Sequence, residues 1–139
     1  MKKKVLSMLL AVALIVGMIP AVALTAFAET ANSVEYRYYD ENLKAFDTRF
    51  RSCTVLTAGD DEWDEGWYVV YGEVTISDRV TVSEDVHLIL ADGCKLTCEK
   101  GIQVETSWSP FEDDASLTIY AQSDDSNPNK GASIINIYT

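Results

Sequence analysis

His87 is the only histidine in the chain, so a Ser/His/Asp arrangement or a histidine metal site would have to use it. It lies between Val86 and Leu88 in an alternating stretch, at a position that should face away from the core. Neither a G-x-S-x-G nor an H-E-x-x-H pattern accompanies it. His87 is therefore expected to be a solvated strand residue. The cysteines are Cys53, Cys94 and Cys98. Cys94 and Cys98 share one extended stretch, which sets their Cα atoms ~13 Å apart, too far for a disulfide. No disulfide and no zinc site are expected, since C-x-x-x-C with one distant Cys supplies three ligands. The acidic run Asp60-Asp61-Glu62-Trp63-Asp64-Glu65-Gly66 invites a calcium reading. An EF-hand loop starting at Asp61 would place Gly66 correctly, but Trp63 and Gly72 would stand where two ligands belong. No metal and no cofactor are expected. With 22 acidic residues, some carboxylate pair meets any glycosidase separation by chance. The remaining candidates are Trp108 and Phe111. They lie in Thr106–Ala115 beside acids, where an exposed aromatic ring could stack on a sugar while carboxylates hold its hydroxyls. The plainer expectation is that Trp108 folds back onto the wall of the fold.

Such residues need a scaffold, and residues 74–104 describe one. Val74, Ile76, Val80, Val82, Val86, Leu88, Leu90, Cys94, Leu96, Cys98, Ile102 and Val104 all fall on even numbers. The odd positions are mostly polar, with Ile89 and Ala91 as exceptions. Period two signals strands with one buried face, and Val, Ile and Thr favour that conformation. The pattern breaks at short polar corners, at Asp78, Glu84, Asp92 and Lys100, and Gly93 and Gly101 can supply positive φ there. The even phase survives every break, as expected of a chain winding around a core. Val74 stands 20 residues before Cys94, and Val80 stands 22 before Ile102. Val86 and Leu117 match this spacing once the ten residues 106–115 are set aside as an insertion. The expected fold is all-β: a short right-handed parallel β-solenoid of about two coils plus the start of a third, near Ala132–Ile137. An antiparallel β-sandwich is the alternative.

The flanks complete the organisation. Lys2, Lys3 and Lys4, an apolar run from Val5 to Val16, and Ala26-Phe27-Ala28 form a secretory signal peptide over residues 1–28, with cleavage expected after Ala28. An uncleaved anchor is the alternative; otherwise the membrane is met only through this leader. Residues 29–72 read as a linker and N-terminal β cap. Residues 29–33 should be loose, and Tyr36, Tyr38, Phe46 and Phe50 should cover the solenoid's open end. Trp63, Trp67 and Tyr71 read as packing residues. Residues 73–139 read as the coils. They are probed by the early stop: the open C-terminal end is expected to reflect truncation, or to meet further coils or a partner chain. The net charge of −11 becomes more negative once the three leader lysines are lost, which opposes nucleic-acid binding.

Gly66-Trp67-Tyr68-Val69-Val70, Val74 to Val82, Val86 to Leu96, Gly101-Ile102-Gln103-Val104 and Ser116 to Gln122 together carry a resemblance. Over about residues 34–139 the chain resembles a module near the N-terminus of large secreted surface proteins of Gram-positive gut bacteria. That resemblance implies a right-handed parallel β-helix and a cell-surface or adhesive role with no assigned chemistry. The expected function is a secreted, non-catalytic surface or adhesion module. The alternative is a module recognising extracellular glycans through Trp108 and Phe111, and an enzyme fragment comes last.

Overall fold

A computed structural model of the protein describes residues 29–123 and 131–138; the expected signal peptide over residues 1–28 lies outside them. Among the described residues every regular element is a strand. These are β1 (Thr30–Asp40), β2 (Ala45–Val55), β3 (Glu62–Trp63), β4 (Gly66–Val70), β5 (Glu73–Ile76), β6 (Val80–Val82), β7 (Asp85–Leu90), β8 (Lys95–Cys98), β9 (Ile102–Val104), β10 (Ser116–Ala121) and β11 (Ile134–Ile137). They form three sheets with the orders β1-β2-β4-β7-β10, β3-β6-β9 and β5-β8-β11. Only β1 and β2 pair antiparallel. From β3 onward all pairings are parallel, and no strand pairs with its neighbour in sequence. The chain visits the three sheets in fixed rotation. An antiparallel sandwich would pair sequence neighbours through hairpins, so the pairing departs from that alternative.

The even-numbered apolar residues become the interior. Val80, Val82, Val86, Leu88, Leu96 and Cys98 are fully buried. Val80 pairs with Ile102, and Val86 with Leu117 across the 106–115 loop, as the spacing predicts. Val74 instead pairs with Leu96, two residues beyond Cys94. The cause is corner length. Two residues, Tyr71 and Gly72, join β4 to β5, whereas Ala91–Cys94 join β7 to β8. A 20-residue offset at Gly66 and Val86 thereby becomes a 22-residue offset at Glu73 and Lys95. At the corner before β9, Gly101 has φ +80°, and a Cβ there would stand 2.8 Å from the Tyr138 carbonyl oxygen. Only glycine lets the two layers approach so closely.

The N-terminal region differs from expectation. Residues 30–33 are not loose: Thr30 already pairs with Thr54. The β1–β2 turn is held by Asp40, whose Oδ1 accepts from the Asn42 and Leu43 amides at 2.9 and 3.2 Å. β2 joins the first sheet only by placing Thr54 and Val55 beside Tyr68 and Val69. The rest of the hairpin lies over the outer side of that sheet. Its register puts Val34, Tyr36 and Tyr38 on one face, and Tyr39, Phe46 and Phe50 on the other. Tyr36 is buried against the sheet, while Phe46 and Phe50 are exposed to solvent. Alternation along a strand forbids all four expected aromatics from covering one surface. The inner column at the N-terminal side is filled instead by Leu56 and Trp63, both buried. Tyr71 remains largely exposed. β3 and β4, within the region read as the cap, pair in parallel with β6 and β7.

Candidate functional site

The loop between β9 and β10 presents the aromatic candidates. Trp108 and Phe111 are almost wholly solvent-exposed, at 101% and 94%. The indole therefore does not fold back onto the wall. The loop holds it outward by bracing itself. The Ser107 amide donates to Asp114 Oδ1 at 2.8 Å, and the Ser107 hydroxyl donates to Glu112 Oε2 at 3.2 Å. The Phe111 amide donates to the Ser109 hydroxyl, and the Ala115 amide to the Glu105 carbonyl closes the base. Trp108 borders a recess of about 480 Å³ together with Ser83, Glu105, Ser107, Glu112 and Asp113. An adjoining recess of about 490 Å³ shares Ser83, Glu112 and Asp113 and adds Glu65, Glu84, Asp85 and Asp114. Phe111 lines neither recess. The structure thus brings Trp108 to acids and hydroxyls, and leaves Phe111 at the loop tip. A flat apolar ring beside hydrogen-bonding oxygens can take a polyhydroxylated ring stacked on the indole.

No family model, curated protein or solved structure matches the chain. The assignment of a role therefore rests on the residues themselves.

His87 faces away from the inner core, but it is half-buried rather than freely solvated. Its ring stacks on Trp67 at 4.4 Å between centroids and an 11° interplanar angle. Its Nδ1 lies 3.0 Å from the Tyr120 hydroxyl, in a hydrogen bond whose direction the tautomer sets. Tyr36, from the hairpin, closes on Trp67 at 4.8 Å and on Tyr120 at 5.0 Å. The Arg51 guanidinium sits 5.2 Å from the Trp67 ring centre. Burial pushes the Tyr120 phenol above its ordinary range, with Tyr36 and Tyr38 adding to the effect. The cluster is a partly covered aromatic stack, in which His87 is a packed and hydrogen-bonded member. A sequence signal existed for it. Val69 and Ile89 are apolar at odd positions and lie in register, and both are fully buried. They mark a second buried face on this one sheet.

Cys53, Cys94 and Cys98 are free and buried. Burial pushes the Cys53 thiol up to about 11 despite the opposing pull of Arg51. Burial likewise raises Cys94 and Cys98. A thiol kept protonated is a poor nucleophile and a poor metal ligand, so these behave as small apolar core residues. In the acidic run, Asp60 is used locally: its Oδ2 accepts from the Thr57 amide and hydroxyl at 2.7 and 2.9 Å. Among the described residues, no three His, Cys, Asp or Glu side chains gather in an arrangement that could hold a metal ion.

Proposed function

We propose that the protein is a secreted, non-catalytic surface or adhesion module whose strands form a short right-handed parallel β-solenoid. The observation that carries this reading is the fixed rotation of β3 to β11 among three sheets, with every pairing from β3 onward parallel and offsets of 20 residues at Gly66 and Val86 and 22 at Glu73 and Lys95. Such winding makes a rigid, extended display surface without a deep cleft. The leader-like N-terminus and the resemblance to surface-protein modules support export and an extracellular place of work. Further coils or a partner chain would cover the C-terminal end, and the acidic surface disfavours nucleic acid.

Glycan recognition at the 106–115 loop is the second reading. The exposure of Trp108 beside the 480 Å³ recess favours it. The test is a glycan array probed with protein recovered from the culture medium. We expect that protein to begin at Glu29, to bind a subset of sugars, and to lose roughly two- to tenfold in affinity on Trp108→Ala, because a stacking contact is worth about 0.5–1.5 kcal/mol. Binding by neither form removes the glycan reading. Retention of the leader, seen as intact mass from Met1, overturns cleavage after Ala28.

A further inference from the structure

The cations of this acidic chain are not all used alike. There are 22 Asp and Glu against 11 Lys and Arg. Lys95 and Lys100 pair with Glu73 and Asp78. Arg37 donates to the Thr48 hydroxyl at 2.9 Å, and Arg79 to the Lys100 carbonyl at 3.2 Å. Arg49 and Arg51 differ. Among the described residues neither side chain has a carboxylate partner or makes a hydrogen bond. Each instead lies on an aromatic ring. The Arg49 guanidinium is 4.2 Å from the Tyr38 ring centre, and that of Arg51 is 5.2 Å from the Trp67 ring centre.

The hairpin register explains why no acid reaches them. Arg51 stands opposite Val34 and Arg49 opposite Tyr36, so both project on the face that carries the aromatic stack. Glu35 stands opposite Phe50 and projects from the other face. Asp47 shares the arginine face, but its Oδ1 takes the Thr48 amide at 2.8 Å. Both arginines are exposed. Positions two apart on a strand set their Cα atoms ~7 Å apart, and like charges that close repel. A ring face attracts a guanidinium without neutralising it or taking its N–H donors. Two forks with open donors are therefore held side by side, next to the half-buried Trp67, His87 and Tyr120.

We propose that Arg49 and Arg51 together bind one compact oxyanion of the phosphate-ester class. Such a group carries a charge of about −1.5 to −2 and three acceptor oxygens, enough to engage two guanidiniums at once. A single carboxylate fills only one fork. A long polyanion is opposed by the acidic remainder of the surface, whereas a small anion meets mainly the local positive field. The anion is either free phosphate or a phosphate carried on a sugar, and its chemistry at the two forks is the same. The site uses no residue of the 106–115 loop, so it stands whether or not Trp108 binds a glycan.

A nuclear magnetic resonance titration tests it, with inorganic phosphate in one arm and a hexose 6-phosphate in the other. Sodium chloride at matched ionic strength is the control. The Nε–H signals of Arg49 and Arg51 should move along a saturable curve in both arms, while that of Arg79 stays in place. Tighter binding of the hexose phosphate identifies a sugar-borne group, and equal affinities identify the anion alone. The double variant Arg49→Gln, Arg51→Gln should lose at least tenfold in affinity. Arg79→Gln should bind as the parent does, and Arg49→Lys with Arg51→Lys, which keeps the charge and loses the forks, should fall between. Shifts that never saturate, or that chloride reproduces, overturn the proposal. So does a folded double glutamine variant that binds like the parent. Should that variant not fold, the unaltered protein decides: arginine Nε–H signals that ignore both phosphates overturn the site.

Discussion

Trp63→Ala should be the most damaging single truncation in the inner core, costing about 3–5 kcal/mol. Trp63 is fully buried and stands in register with Val82, at the head of the column that ends in Val104. Its Nε1 donates to the Asp60 carbonyl at 2.8 Å, and its ring stacks with Tyr68 at 6.3 Å. Truncation removes a large apolar surface, leaves a cavity, and strips that carbonyl of its donor. The loop cannot easily collapse into the gap, because Asp60 is tied to Thr57. Urea unfolding of the variant beside Phe50→Ala checks this. Phe50 is 58% exposed, and its removal should change stability by about 0.5 kcal/mol or less. Comparable midpoints for the two variants would show that Trp63 does not plug the core.

The contrast between these two aromatics shows what the sequence conveys. Even parity from Val74 onward identified the inner face because each short strand keeps its phase through the corners. The offset of Val80 to Ile102 followed from that alone, and that of Val86 to Leu117 once residues 106–115 were set aside as an insertion. Trp63 escaped the pattern because it is odd-numbered: the Asp64-Glu65 corner shifts the phase before Gly66. It was legible as a packing residue, but not as one that enters the inner column. For the candidate site, the 106–115 insertion was legible as a break in spacing, but the direction of Trp108 was not. That direction depends on Ser107, Ser109 and Glu112 bonding to one another, a local network with no periodicity to read. The hairpin was the hardest feature. Alternation in Val34–Tyr38 shows a strand, yet it does not say which surface the strand covers. Only the paired apolar residues Val69 and Ile89 pointed to the outer side of the first sheet.

That placement carries the second large expectation. Tyr36→Ala should cost about 3 kcal/mol, and most of the loss should appear as opening of the hairpin rather than as global unfolding. Tyr36 is only 2% exposed and bridges Trp67 of β4 and Tyr120 of β10, so one side chain fastens the hairpin across the width of the sheet. The hairpin's main-chain attachment is slight by comparison, since only Thr54 and Val55 pair with β4. An element held by few sheet hydrogen bonds and one aromatic anchor can open below the global free energy. About 3 kcal/mol corresponds to roughly a hundredfold faster amide exchange. Exchange should therefore accelerate by that factor in β1 and the first half of β2, and by far less in β6, β7 and β8. His87 should become more accessible to imidazole-directed modification, because part of its cover is gone while its strand stays paired on both sides. Uniform acceleration across all strands would mean that hairpin and sheets open as one cooperative unit, and the anchoring role of Tyr36 would have to be abandoned.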